Sequence, residues 1–180
     1  MNKKIIILGV GGNCIDILDT VISINEKEDR EVYSCMGFLD DDKETWEKLY
    51  KGYANFYKVE MNDKILQAVW NWLHDKSHEV NGLVYEVDGN IVGLAHYRRM
   101  PRPLRGQDIG FLDDLFVDPD HRGQRIGEKV LNELKKISKS KGWNLVRWIT
   151  HNDNIRAKSL YDRVSEKTTW DVYELKLKNN

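Results

Sequence analysis

Phe116 to Gly127 reads Phe-Val-Asp-Pro-Asp-His-Arg-Gly-Gln-Arg-Ile-Gly and runs directly into Glu-Lys-Val-Leu-Asn-Glu-Leu-Lys-Lys-Ile. An apolar strand therefore passes through a tight turn into an amphipathic helix whose first turn is basic and glycine-bearing. The first N–H groups of a helix have no intrahelical partner, and the aligned peptide dipoles leave partial positive charge there. A junction of this kind suits an anion such as a phosphate or pyrophosphate. Gly123 and Gly127 let a bulky anion approach the main chain, and Arg122 and Arg125 add full charges. The same string also fits a plain strand and turn leading to a basic surface helix.

A second constellation follows. Trp143 to Ile149 is a short apolar strand, and Thr-His-Asn-Asp-Asn then leads into the helical stretch Ile-Arg-Ala-Lys-Ser-Leu-Tyr. Asn154 and Tyr161 lie seven residues apart, two helical turns, and so face the same side. Taken alone, Tyr161 also fits an amphipathic core position.

Together these segments resemble the GNAT superfamily of N-acetyltransferases. Phe111 to Leu131 is similar to that family's acetyl-coenzyme A motif, R/Q-x-x-G-x-G/A between a strand and a long helix. Arg122, Gly123, Gln124, Ile126 and Gly127 fall on its positions, and Arg125 stands where a glycine is commonest. The resemblance implies that acetyl-coenzyme A is held by the backbone of Leu115, Phe116 and Val117 and by Arg122, Gly123, Gln124, Arg125, Ile126 and Gly127. It further implies that Asn154 bonds the pantetheine amides and that Tyr161 donates a proton to the departing sulfur. Asp113 falls where several amine acetyltransferases carry a glutamate, which makes it the candidate general base, acting through a bridging water. A solvated strand-end carboxylate is the alternative for Asp113. Asp114 is expected on the opposite face of the strand.

The composition narrows the remaining classes. Lysine and arginine number 28 against 29 acidic residues, so the charges nearly cancel and a nucleic-acid partner is not expected. Cys14 and Cys35 are too few and too isolated for a disulfide framework or a zinc site, and no metal is expected. His74 and His78, four apart, are spaced to share a helix face but lack a third ligand nearby. No apolar run has the length of a membrane span, and the Ile-rich opening before Gly9 is shorter than a signal peptide's apolar region. A cytoplasmic location is the expectation.

Thr45 onward gives the clearest organisation. Asp40, Asp41 and Asp42 precede Trp46, Leu49, Tyr50, Tyr53 and Phe56 at helical spacing, and a second helix carries Ile65, Leu66, Val69, Trp70 and Leu73. Gly82 to Val87 and Asn90 to Tyr97 read as strands joined at Asp88-Gly89, a hairpin signal. Pro101, Pro103 and Gly106 read as a loop, and Gly110 to Val117 as the strand that delivers the anion site. A helix from Ile126 to about Lys139, ended by Gly142, precedes the last elements, with a final strand at Asp171 to Leu177. His96, Tyr97, Tyr53 and Tyr57 are candidates either for an acceptor pocket or for the core.

This order predicts an α/β (α+β) fold, a mixed, mostly antiparallel sheet flanked by helices, as in the GNAT fold. The resemblance covers about residues 31–180, with Glu31 to Leu39 as the first strand of that domain. Residues 1–30 form an N-terminal βα extension. Ile5 to Leu8, Gly9-Val10-Gly11-Gly12 and the helical Ile15, Leu18, Val21 and Ile22 resemble the first βαβ unit of PglD/NeuD-type sugar acyltransferases. A full dinucleotide site needs more strands. The expectation is instead that residues 4–8 lie parallel to 32–39 and add an edge strand to the sheet.

By this resemblance the chain is an acyltransferase that moves acetyl from acetyl-coenzyme A to a primary amine of a small molecule or peptide by direct attack in a ternary complex. A coenzyme-binding regulatory module and a sugar-nucleotide N-acyltransferase are the alternatives. The final strand is the expected edge for a homodimer.

Overall fold

The computed structural model describes residues 3–7, 33–38 and 42–177. The Gly9 to Gly12 turn and the helix expected after it lie outside the described residues. The chain clusters into two compact units, 1–149 and 150–180, which are described separately.

The first unit is built on a sheet of β1 (Lys3–Ile7), β2 (Tyr33–Phe38), β3 (Val80–Val87), β4 (Asn90–Arg102), β5 (Gln107–Val117) and β6 (Val146–Trp148). Among the described residues the strand order is β2-β1-β3-β4-β5-β6. The pairs β1–β2 and β5–β6 are parallel, and the three pairings between β1 and β5 are antiparallel. The sheet is thus mixed and mostly antiparallel, as expected. The parallel pairing of the first two strands also agrees with expectation, but their order does not. Lys3–Ile7 lies inside, bonded antiparallel to β3 through Ile5↔Tyr85, and Tyr33–Phe38 forms the edge.

Two helices, α1 (Lys43–Tyr57) and α2 (Asp63–His74), cover one face of this sheet. Each begins at a side-chain cap: Asp42 accepts from the Thr45 N–H, and Asn62 from the Ile65 N–H. Trp46 and Leu49 of α1 pack with Leu66, Val69 and Leu73 of α2 against Val84, Ile91, Leu94 and Phe116 of the sheet. Burying each such side chain contributes roughly 1.5–3 kcal/mol. Side chains alternate along a strand, so Gly93, beside Leu94, faces the other way. There Ile126 of α3 (Ile126–Ser140) comes within 3.2 Å of where a Gly93 Cβ would lie, which places α3 on the opposite face.

The β3–β4 hairpin turns at Asp88-Gly89, both with positive φ (50° and 81°), as the dipeptide predicts. Strand β4 runs five residues beyond its expected end. Its partner β3 starts at Val80, opposite Arg98, so residues 99–102 pair with β5 alone. Pro101 is accommodated in that one-sided ribbon because it donates no ladder bond. Gly142, at φ 72°, follows the end of α3 as expected.

The second unit contains α4 (Ile155–Val164), capped by Asn154, whose side chain accepts from the Ala157 N–H. The expected final strand at 171–177 is corrected: these residues form neither helix nor strand. Tyr173, Leu175 and Leu177 keep the alternation of a strand, but alternation only prepares a face. A strand also needs a neighbour to complete its ladder.

Candidate active site

Strand β5 carries the candidate groups in sequence. Its register against β4 slips once, so that His96 pairs with Asp114 while Tyr97 pairs with Leu112. Asp113 is the extra residue of this β-bulge. A bulge brings two consecutive residues opposite one partner and breaks strict alternation. The expectation that Asp113 and Asp114 face opposite ways is therefore corrected. Asp113 pairs with Arg98, whose Nε lies 3.1 and 3.2 Å from its two carboxylate oxygens. Asp114 pairs with His96, Nδ1 to Oδ2 at 2.8 Å. His96 and Arg98 are two apart on β4 and share a face, so both carboxylates are drawn to the side covered by α1.

Burial raises the Asp113 carboxyl above its ordinary value; the Arg98 guanidinium opposes this, and the charge of Asp114 adds to it. On α1, burial raises the Tyr50 phenol, and the charge and hydrogen-bond pull of Asp114 raise it further. The Arg98 guanidinium also lies over the Phe111 ring at 4.9 Å and reaches Glu79 at 3.9 Å. Behind these groups sits a buried link that sequence reasoning missed: Trp46 Nε1 donates to His96 Nε2 at 3.1 Å. The detectable signal was the doublet Asp113-Asp114 inside Phe-Leu-Asp-Asp-Leu-Phe, which breaks a period of two and so marks a bulge.

Beyond the bulge, Leu115, Phe116 and Val117 lie opposite Ala95, Leu94 and Gly93 of β4. On its other side β5 is laddered to β6 only through Gly110 to Leu112. Among the described residues no strand continues that ladder past Leu112. The outward backbone groups of 113–117, apart from the Val117 carbonyl that accepts from Arg122, thus form an open edge suited to an extended, amide-bearing ligand.

The turn that follows is pinned at its start. Asp118 N–H donates to the Val92 carbonyl at 2.9 Å, and Pro119–His121 form a single 3-10 turn. Arg122 Nε donates to the Val117 carbonyl at 3.0 Å, with its guanidinium 5.5 Å from the Phe116 ring centre. Gly123 has φ 88°, and a Cβ there would meet no atom within 4 Å. Gln124 is exposed. Arg125 caps α3 in the left-handed conformation, φ 58° and ψ 23°, the backbone state a glycine adopts freely. Its side chain turns back to pair with Glu128, Nε to Oε2 at 3.0 Å, within the first turn of α3. Ile126 is buried and anchors the helix start, and Gly127 follows it in the first turn.

These residues fit the phosphate end of a coenzyme: an open glycine, a turn tied to a strand, and a helix N-terminus. Asn154 and Tyr161 both belong to the second unit, at the cap and on the second turn of α4. His74 and His78 do not share a helix face, because α2 ends at His74. Among the described residues no cluster of histidine, cysteine or acidic side chains has a metal-binding arrangement. No described helix is long and apolar enough to cross a membrane.

Comparison with known proteins agrees with this fold. Residues 44–165 match the acetyltransferase (GNAT) family. The D-amino-acid N-acetyltransferase of Saccharomyces cerevisiae is 27% identical over 74% of this chain and 84% of its own length. The thialysine N-epsilon-acetyltransferase of Bos taurus is 32% identical over 39% of this chain and 41% of its own. Among solved structures, the aminoglycoside N-acetyltransferase AAC(6')-Iy in complex with CoA superposes with a TM-score of 0.65 at 17% identity. That match covers 74% of this chain and 88% of the other.

Proposed function

The chain belongs to the GNAT family of acetyltransferases and is an acyltransferase, and from that premise we propose that it transfers acetyl from acetyl-coenzyme A directly to a primary amine of a small molecule or peptide. The similarity to a D-amino-acid N-acetyltransferase supports an amino acid or similar small amine as acceptor. The observation that carries this is the continuity of β5: a bulge with a carboxylate of raised pKa leads, along one open edge, into a basic helix N-terminus.

Acetyl-coenzyme A supplies an acetyl group activated as a thioester. The chain's own residues do the rest. An ordinary alkylammonium, with pKa about 10.4, is neutral only about once in a thousand molecules at neutral pH. Asp113 takes the amine's proton, directly or through water, and its raised pKa makes it a stronger base than an ordinary aspartate. Backbone N–H groups of Leu115 to Val117 bind the pantetheine arm and draw charge from the acyl oxygen. Arg122, Gly123, Gln124, Arg125, Ile126 and Gly127 receive the pyrophosphate. Asn154 bonds pantetheine amides through its side-chain amide, and Tyr161 donates a proton to the sulfur.

Calorimetric titration with acetyl-coenzyme A tests the donor site. Wild type and Tyr161→Phe should bind alike, and Gly123→Asp should not bind, because it sets a carboxylate against the anion at φ 88°. Asp113→Asn should retain coenzyme binding and lose about 10²-fold or more in turnover with a panel of amino acids, polyamines and basic peptides. Absence of coenzyme binding by the wild type would overturn the proposal.

A further inference from the structure

His96 is 1% exposed, yet it carries a titratable ring into the core and takes no part in the chemistry above. Both ring nitrogens are committed. The indole N–H of Trp46 only donates, so at 3.1 Å it requires a lone pair on His96 Nε2. The ring proton therefore sits on Nδ1, where it points at Asp114 Oδ2 at 2.8 Å. Helix α1, strand β4 and strand β5 each contribute one member of this chain, Trp46, His96 and Asp114 in turn.

Its position gives it a task. Two consecutive aspartates make the bulge ambiguous, since either carboxylate has the chemistry to sit against His96, and moving the bulge by one residue would exchange them. Only Asp114 is held by the Nδ1–H. Asp113 is left outward, with Arg98 from β4 on one side and the Asp114 charge from β5 on the other. Tyr50 of α1 adds a hydrogen bond to Asp114 and feels only the charge of Asp113, and Glu79 reaches the group only through Arg98.

We propose that His96, locked by Trp46 in the Nδ1–H tautomer, is a positioning residue that fixes Asp114 in the bulge and so selects Asp113 as the carboxylate presented to the amine. This rests on the assignment of Asp113 as the base. A device of this kind lets a buried neutral imidazole set the behaviour of a carboxylate it does not touch. The Asp114 charge, held in place, is among the influences that raise the Asp113 carboxyl.

Two measurements on the full chain decide it, and neither requires turnover or a known acceptor. Nitrogen-15 NMR of the His96 ring should show the proton on Nδ1 and a bare, hydrogen-bonded Nε2. A proton on Nε2 would overturn the proposal outright. Carbon-13 carboxyl titration of Asp113 should then show its midpoint falling in Asp114→Asn. In His96→Leu it should move part of the way toward that value, because Asp114 then keeps only its hydrogen bond with the Tyr50 phenol. In His96→Asn, whose amide N–H replaces Nδ1–H, it should return toward wild type. An Asp113 midpoint identical in wild type, Asp114→Asn and His96→Leu would also overturn it. If His96→Leu does not fold, the tautomer and Asp114→Asn still decide. Full turnover by Asp113→Asn with these titrations intact would instead remove the base assignment and leave the His96 lock standing.

Discussion

At Arg125 a side chain occupies a backbone state that costs a non-glycine residue about 1–2 kcal/mol, at φ 58°. The compensation is a pair with Glu128 across one helical turn, weak because its arginine end is solvent-exposed. Strain therefore outweighs pairing, and Arg125→Gly should raise the unfolding free energy by about 0.5–1 kcal/mol in a denaturant titration. A loss of stability would mean that the ion pair dominates. Asp113 makes a second residue-scale prediction. Its carboxyl is raised on folding, so the native state binds that proton more tightly than the unfolded chain does. Stability should then fall as pH rises from the ordinary aspartate value, about 3.9, through the raised native one. Asp113→Asn removes this dependence. Its melting temperature should exceed wild type at neutral pH, with the gap closing as pH drops through that window. A gap that is constant with pH would show an effect unrelated to titration, and a variant less stable than wild type at neutral pH would mean that pairing with Arg98 outweighs burial.

Elements here are positioned by a few close contacts. Helix α1 meets β5 at Gly52, where an added Cβ would lie 2.8 Å from Phe116 Cζ. Alanine is favoured over glycine in a helix by about 1 kcal/mol, but overpacking a core position costs about 1–3 kcal/mol. Phe116 is only 6% exposed and sits among Tyr53, Trp46 and Leu94, with little room to yield. Gly52→Ala should therefore lower the unfolding free energy by about 1 kcal/mol, and a gain would mean that Phe116 moves freely. Much of this level was legible in the sequence. The capping aspartate, the Asp-Gly hairpin, the Gly142 stop and the strand-turn-helix junction each follow from local chemistry with one favoured solution. What escaped notice was whatever depends on a partner. Pro101 sits in a strand because β3 ends beside it, and the Asp113-Asp114 doublet bulges because His96 and Arg98 claim one carboxylate each. Residues 171–177 have the alternation of a strand without a neighbour to realise it.

For the whole molecule, the sheet's outer order is where chain continuity misleads. Tyr33–Phe38 leads directly toward α1, so continuity predicts it beside β3 with the opening strand outside. Both segments are short and equally suited to pairing, so nothing local ranks them. In the structure Lys3–Ile7 takes the inner place, parallel to β2 and antiparallel to β3. The difference has a direct consequence for backbone protection. A strand between two neighbours has its amides bonded on both sides, whereas an edge strand leaves alternate amides to water. Local opening also frees an edge strand first, because only one ladder must break. Native-state hydrogen exchange should thus find the amides within Lys3–Ile7 uniformly slow, and those within Tyr33–Phe38 alternating between slow and fast. Opening the edge strand removes only the β1–β2 ladder, so mild denaturant should erase protection in Tyr33–Phe38 before it does so in Lys3–Ile7. The reverse ranking would restore the order expected from continuity and make the opening strand a dispensable flank. With the observed order it cannot be one, since removing it would strip β2 of its partner and expose the edge of β3 together.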